Sequence, residues 1–389
     1  MTSTARTPPA APTQPTGSDE LLSAGKEADG VLTVQINDDH PTALERGRVF
    51  VVLTMLLAAG LLGAVLGLNV LVNPRSRFDT DVYEPLIPDY AHEKLEAYHD
   101  LPAKPAVVVM GSSRALKIDP DALGNATGRV AYNFALPGAS LEDHLTLYRY
   151  MAERRWAPEQ LFIGLEEVQL AGGIEPKLER SRAWPELGGQ TGLWGDAKVL
   201  YETLTPGHVK DVGRSLYFAH VKGGLPEPRL ALAADGEGIY PVFERHIAAG
   251  TFDQEAELER HWRNEALATY QAVLGLDQSK LAVLDTLLAE ARGHDTRVTL
   301  FFTPFHPDAW ERLLELPDFE QVHDAAKATV AERCADAIRV FDFTHVDDWG
   351  GDPASFYDNF HYRADNAALL VAEMTARDPA ERPNALCQP

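Results

Sequence analysis

Apolar residues are distributed along this chain in three different ways. Over residues 1–45 they show no periodicity. The stretch is rich in Pro, Thr, Ala, Ser, Asp and Glu, with too little apolar surface to offset the entropy of ordering, so it is predicted to be disordered. Arg46 and Arg48 then lead into an unbroken apolar run, Val49–Val72, whose clearly polar members are Thr54 and Asn69. As a helix it reaches about 36 Å, more than a hydrocarbon layer of about 30 Å. A buried core helix rarely runs this long without a charge, and a cleaved signal peptide would begin earlier. One transmembrane helix is therefore expected over 46–72. Arg75 and Arg77 beyond the run balance the two arginines before it, but long C-terminal domains cross regardless of flanking charge. The expectation is a cytoplasmic tail, 1–45, and a large extracytoplasmic part.

Past a connection at 73–102 the pattern changes to short apolar runs alternating with helical spacing. Ala106–Met110, Val130–Leu136, Gln160–Leu165, Arg297–Thr303 and Ile338–Phe343 have the length and apolar content of buried parallel strands. Helical patterns cover Leu141–Arg154, about 253–292, Ala309–Asp336 and Tyr362–Ala376. This alternation predicts an α/β domain over 103–389, with a parallel sheet covered on both faces. A Gly-, Pro- and Trp-rich stretch at about 171–250 breaks the rhythm. It is expected to be an insertion over the sheet edge, as a lid or a partner surface.

Composition narrows the function. With 389 residues the chain can build a core without disulfides or a structural metal. Lys+Arg 35 against Asp+Glu 58 gives a formal charge of -23, which would repel a phosphate backbone, so no nucleic acid is expected as partner. Two cysteines, Cys334 and Cys387, exclude a Cys-rich zinc site and allow either one disulfide or two thiols. No cofactor and no metal are expected. A metal set drawn from His306, His345, Asp358 and His361 lacks any recognisable ligand spacing.

Four strand ends carry candidate chemistry. Gly111-Ser112-Ser113-Arg114 follows the first strand; a serine there is either a nucleophile beside backbone N–H groups or an ordinary helix N-cap. Asn133–Ser140 holds Pro137-Gly138, where the Gly138 N–H can approach a carbonyl, or where the chain simply turns into a capped helix. Phe356-Tyr357-Asp358-Asn359-Phe360-His361 places an acid three residues before a histidine, the spacing for Asp358 to orient His361. Thr303-Pro304-Phe305-His306 ends the fourth strand, where His306 faces either substrate or core.

The order of these blocks resembles the SGNH (GDSL-type) hydrolase superfamily, over roughly 106–165 and 297–376. The resemblance implies a flavodoxin-like three-layer α/β/α sandwich, a Ser113–His361–Asp358 triad, and an oxyanion site made by the N–H groups of Ser113 and Gly138. One position departs from it. Where family members carry an oxyanion-binding Asn, this chain reads Gly164-Leu165-Glu166-Glu167, and Glu166 cannot donate a hydrogen bond unless protonated. Together with the anchor, the set is similar to membrane-anchored envelope proteins of polysaccharide O-acylation. This implies an esterase or O-acyltransferase working on an acylated glycan or other envelope polymer, beside a multi-span membrane acyltransferase. Arg114, Glu166 and His306 are then candidate substrate-facing residues. The alternative is a non-catalytic scaffold or binding subunit of such a complex.

Overall fold

The computed structural model describes residues 24–26, 32–34, 43–80, 82–189 and 192–387. The chain forms two units, residues 1–64 and 65–389. The tail expected to be disordered, 1–45, lies outside the described residues except for an antiparallel pair, Ala24–Lys26 with Leu32–Val34, and the start of a helix at Ala43. That helix runs Ala43–Val72. Its segment Gly47–Val72, which contains an 18-residue stretch of mean hydropathy 2.7, is long and apolar enough to cross a membrane.

In the second unit six strands form one sheet: β1 (Val107–Met110), β2 (Ala131–Asn133), β3 (Gln160–Leu165), β4 (Arg297–Phe302), β5 (Ile338–Asp342) and β6 (Ala385–Cys387). Their spatial order is 6-5-4-3-1-2, with β1 to β5 parallel and β6 antiparallel on the edge. Without β6 the order is 2-1-3-4-5, the flavodoxin-like arrangement, which reverses between β1 and β3. Successive residues point to opposite faces. Val107 and Val109 pack with Phe162, Phe301 and Leu370, while Val108 and Met110 pack with Ile163, Leu300 and Tyr148. Burial on both faces is why the strands read as unbroken apolar runs.

Several elements differ from expectation. The second strand is shorter than expected, Ala131–Asn133, although Phe134 N and Leu136 N still donate to Val109 O on β1 (2.7 Å) and to Gly111 O just past it (3.0 Å). The helix expected over 253–292 is interrupted between Gln271 and Gln278, around Gly275 at φ +158°. The next divides into Pro307–Leu314 and Phe319–Ala331 at Pro317, which has no N–H to continue the ladder. The stretch 73–102 holds a helix, Tyr90–Asp100, capped by Asp89 and packed through Leu95 and Tyr98. The insertion contains helices Leu193–Thr203, Pro206–Tyr217 and Pro241–Ala248, and Asp235 O accepts from Asn133 N on edge strand β2.

Cys334 and Cys387 form a disulfide that ties β6 to the segment following Phe319–Ala331, closing a separation of 53 residues. A loop of that length implies about 4 kcal/mol in the chain-entropy account. Replacing both cysteines by serine should therefore lower the thermal unfolding midpoint of the solubilised full chain, with a loss of about 2–4 kcal/mol. Identical midpoints for oxidised and reduced protein would show that the bridge adds no stability.

Candidate active site

The C-terminal ends of β1 and β3 border the crevice that the strand reversal opens, and the polar candidates gather there. After β1 the chain turns at Gly111, φ +152°, where a Cβ would stand 2.6 Å from that of Ala115. Ser112 accepts from Arg114 N at 3.1 Å and caps a single 3-10 turn, Ser113–Ala115. Ser113 is the first residue of that turn, so its N–H is one the turn itself leaves unpaired. The fully buried Asn133 fastens this loop. Its amide donates to Ala115 O, Leu116 O and Ile118 O at 2.9–3.2 Å, and its oxygen accepts from Ala135 N.

The late loop is built in the same self-supporting way. Tyr357 N donates to His361 O, and Asp358 Oδ1 accepts from the N–H groups of Phe360 and His361, both at 3.0 Å. This places the Asp358 carboxylate 2.8 and 2.9 Å from His361 Nδ1. His361 Nε2 then lies 2.8 Å from Ser113 Oγ, across 248 residues of chain. Burial opposes the charge on His361, but the adjacent Asp358 carboxylate outweighs it and holds the imidazole above its ordinary pKa. Burial also works against the Asp358 charge, and the two histidines and the backbone N–H groups override it, leaving the acid well below the usual carboxylate range. The arrangement can pass a proton from Ser113 to His361 while Asp358 fixes the ring.

Ser113 and His361 face a cavity of about 520 Å³, bordered also by Gly138, Glu166, Lys177, Arg180, His261 and Tyr270 among others. Gly138 has φ +63°, and a Cβ there would collide with Lys177 Nζ. Among the described residues its N–H has no protein acceptor. Glu166, at the end of β3, accepts from the Ser112 hydroxyl and lies 3.9 Å from the Arg114 guanidinium. Burial dominates and raises its pKa despite both neighbours. Arg114 borders the cavity, but its Nη donors serve the protein, bonding Tyr270 Oη at 2.9 Å, Thr303 O at 2.8 Å and Pro304 O at 2.5 Å, while its buried Nε has no partner among the described residues. Its guanidinium stacks 4.2 Å from the Phe305 ring. It braces the site floor rather than presenting a free cation.

His306 stands apart from this group. Its Nδ1 accepts from Asp308 N at 3.2 Å and caps Pro307–Leu314, and its ring packs on Phe356, outside the cavity wall. His345 packs against Trp310, 4.7 Å between centroids. The residues that sequence reasoning missed come from the insertion and the helices after it. His261 Nδ1 lies 2.9 Å from Asn359 Oδ1 and 3.8 Å from Asp358, and Tyr240 Oη donates to Ser113 O at 3.4 Å. Lys177 is seated by Asp143, which accepts from Lys177 N and Leu178 N at 3.0 Å. No local motif marks any of them, because long-range packing alone brings them here. His261, Asp358 and His361 offer atoms within 4.8 Å of one another that could ligate a metal. The Asp358 oxygens and both His361 nitrogens already serve the chain to Ser113, so a cation there would dismantle it.

No family model and no curated protein matches this chain. Among solved structures it is similar to a candidate acylhydrolase from Bacteroides fragilis, at 12% identity and TM-score 0.31, covering 72% of this chain and 90% of that one. It is also similar to a protein from Streptococcus pneumonia described as a candidate platelet activating factor, at 12% identity and TM-score 0.31, covering 82% and 97%. At that level of superposition it is the strand order of this chain, not the likeness, that carries the fold.

The His361 titration tests the electrostatics without any substrate. In the intact protein its imidazole should titrate above pH 6.5, and in Asp358→Asn below it, since burial then acts unopposed. Nitrogen-detected NMR of the ring reads both; equal midpoints would show that the carboxylate does not govern the histidine.

Proposed function

We propose that this protein is a membrane-anchored serine esterase or O-acyltransferase acting on acyl esters of a cell-envelope polysaccharide. The observation that carries the reading is the hydrogen-bonded chain from Ser113 Oγ through His361 to the buried Asp358. In this reading His361 takes the Ser113 proton as Oγ attacks the acyl carbon, and Asp358 stabilises the imidazolium. The N–H groups of Ser113 and Gly138 hold the oxyanion. His361 then returns the proton to the departing alcohol, leaving an acyl-enzyme. Water or a sugar hydroxyl ends the cycle by attacking that ester. A cavity whose wall carries Glu175, Lys177, Arg180 and Glu265 suits a substrate rich in hydroxyl groups. The apolar helix and the disulfide favour an extracytoplasmic site, since disulfides persist in oxidising compartments. A multi-span membrane acyltransferase would be the source of acyl groups for the transfer variant of this reaction.

Glu166 favours a second reading. An ionised carboxylate beside the oxyanion site opposes the charge that develops there. A chain with such a site can serve an acylation complex as a non-catalytic scaffold or binding subunit.

Turnover of p-nitrophenyl acetate by the full chain separates the two. The esterase reading expects Ser113→Ala to lose activity by on the order of 10³-fold or more. Folded wild-type protein without turnover, matched by an equally silent Glu166→Gln, would leave the scaffold reading standing. The pH profile gives a further check. His361 must be neutral to act as base, so kcat/KM should fall as pH drops through a midpoint above 6.5. Glu166→Gln replaces a carboxylate that cannot donate when ionised by an amide that can, and should raise the rate by up to about 100-fold, the scale of one oxyanion donor. An unchanged rate in that variant would clear Glu166 of any effect on the oxyanion.

A further inference from the structure

The last turns of the long apolar helix belong to the same unit as the α/β domain, and they are bound to it. Asn69, one turn before the helix ends at Val72, is buried and donates its carboxamide to Thr203 O at 2.6 Å. Just past the helix, Arg75 makes a two-pronged bond to Asp211, at 2.7 and 2.9 Å. Both partners lie on one helical hairpin of the insertion, Leu193–Thr203 and Pro206–Tyr217, which continues through one wide turn to Lys222.

These contacts set a depth. The segment Gly47–Val72 has 26 residues and spans about 39 Å, some 9 Å more than a 30 Å hydrocarbon layer. Centred in a bilayer, its last turn stands among the headgroups, with Asn69 about 4.5 Å from the end and near their inner boundary. Thr203, hydrogen-bonded to Asn69, shares that depth.

The outer surface of the hairpin has the chemistry of this layer. Helix Pro206–Tyr217 buries His208, Asp211, Val212 and Ser215. Its opposite stripe, Val209, Gly213, Tyr217 and Val221 at four-residue spacing, is exposed. Tyr201 and Val221 are 71% and 67% exposed, large for apolar-bodied side chains. Lys210, Arg214 and Lys222 flank the stripe, and the lone acid between Pro206 and Gly224 is Asp211, which is bonded to Arg75 and lies 3.5 Å from the half-exposed Arg214. In a chain of formal charge -23 this is a locally cationic surface. An exposed aromatic and aliphatic stripe edged by Lys and Arg is the pattern of an element lying in a membrane interface.

We propose that the hairpin Leu193–Lys222 beds in the headgroup layer of the bilayer that the apolar helix crosses, and that anionic lipid headgroups are the ligands of Lys210, Arg214 and Lys222. The inference rests on reading Gly47–Val72 as a membrane span. Its functional weight comes from Arg180, which borders the cavity of Ser113 and reaches Glu202 on the hairpin at 3.6 Å. The hairpin thus connects the cavity wall to the lipid surface through one side-chain pair.

The test uses the full chain in nanodiscs, either phosphatidylcholine alone or with phosphatidylglycerol, keeping Cys334–Cys387 oxidised. Single variants Tyr201→Cys, Val209→Cys and Tyr217→Cys carry an environment-sensitive fluorophore. Val130→Cys is the control, exposed just before β2 at the opposite end of its strand. Nitroxide-headgroup lipids should quench the three hairpin probes and not the control, more strongly with phosphatidylglycerol. Lys210→Gln/Arg214→Gln/Lys222→Gln should abolish the phosphatidylglycerol increment. Hairpin probes quenched by aqueous iodide as readily as the control would overturn the proposal. Probes shielded from both quenchers would overturn it too, by showing a protein partner or a second copy on that face. Release of the chain by alkaline carbonate would instead remove the membrane span itself, a separate failure.

Discussion

Strand order reverses beside β1, and the Ser113–His361–Asp358 group is arranged around that reversal. Chains leaving β1 and β3 depart to opposite faces of the sheet, so a crevice opens at their carboxyl ends that no side chain from the sheet can fill. The loops at its rim must satisfy their own backbone groups. Asn133 does this for the Ser113 loop and Asp358 for the His361 loop, each gathering several N–H or C=O groups onto one buried side chain. Ser113 and His361 meet because two such self-bracing loops face each other across one gap.

Beneath that meeting point lies an unusual concentration of buried charge. Arg114, Glu166 and Glu167 are all removed from water, and Glu167 is held by His323 at 2.5 Å. Burial is the largest influence on Glu167 and opposes its charge, but His323, Arg114 and a backbone hydrogen bond together outweigh it and keep the carboxyl below its ordinary pKa; for Glu166 the balance goes the other way. Two adjacent acids are thus driven apart in protonation tendency by their partners, the situation in which one remains a structural anion and its neighbour responds to pH. Removing one member of such a buried set leaves the others uncompensated, so the layer also restricts which residues can stand at 166.

The sheet strands and the Asp358–His361 spacing were legible in the sequence because both are local. A buried parallel strand writes itself as an apolar run, and Asp358 and His361 sit within one turn of each other. Helix interruptions were less visible, since Gly275 and Pro317 lie inside patterns whose periodicity resumes afterwards. Strand β6 was invisible: Ala385–Cys387 is too short to carry alternation, and a disulfide with its register on β5 holds it. His261, Tyr240 and Lys177 could not be found from sequence, because each reaches the cavity through contacts with residues far away in the chain. His306 sits at a strand end, where ligands gather, yet the demand of the next helix for a cap takes its imidazole.

Both margins of the sheet are short and braced. On one side β6 is a three-residue antiparallel strand stapled by Cys334–Cys387, and on the other Asp235 O takes up the N–H of Asn133 on β2. A protein tethered to a bilayer shares a plane with its copies, where encounters are far more frequent than in free solution and mutual orientation is already restricted. Under that confinement an open strand edge would template pairing between neighbours. In the membrane-anchored reading proposed above, such margins would let the molecules crowd laterally without zipping into a common sheet.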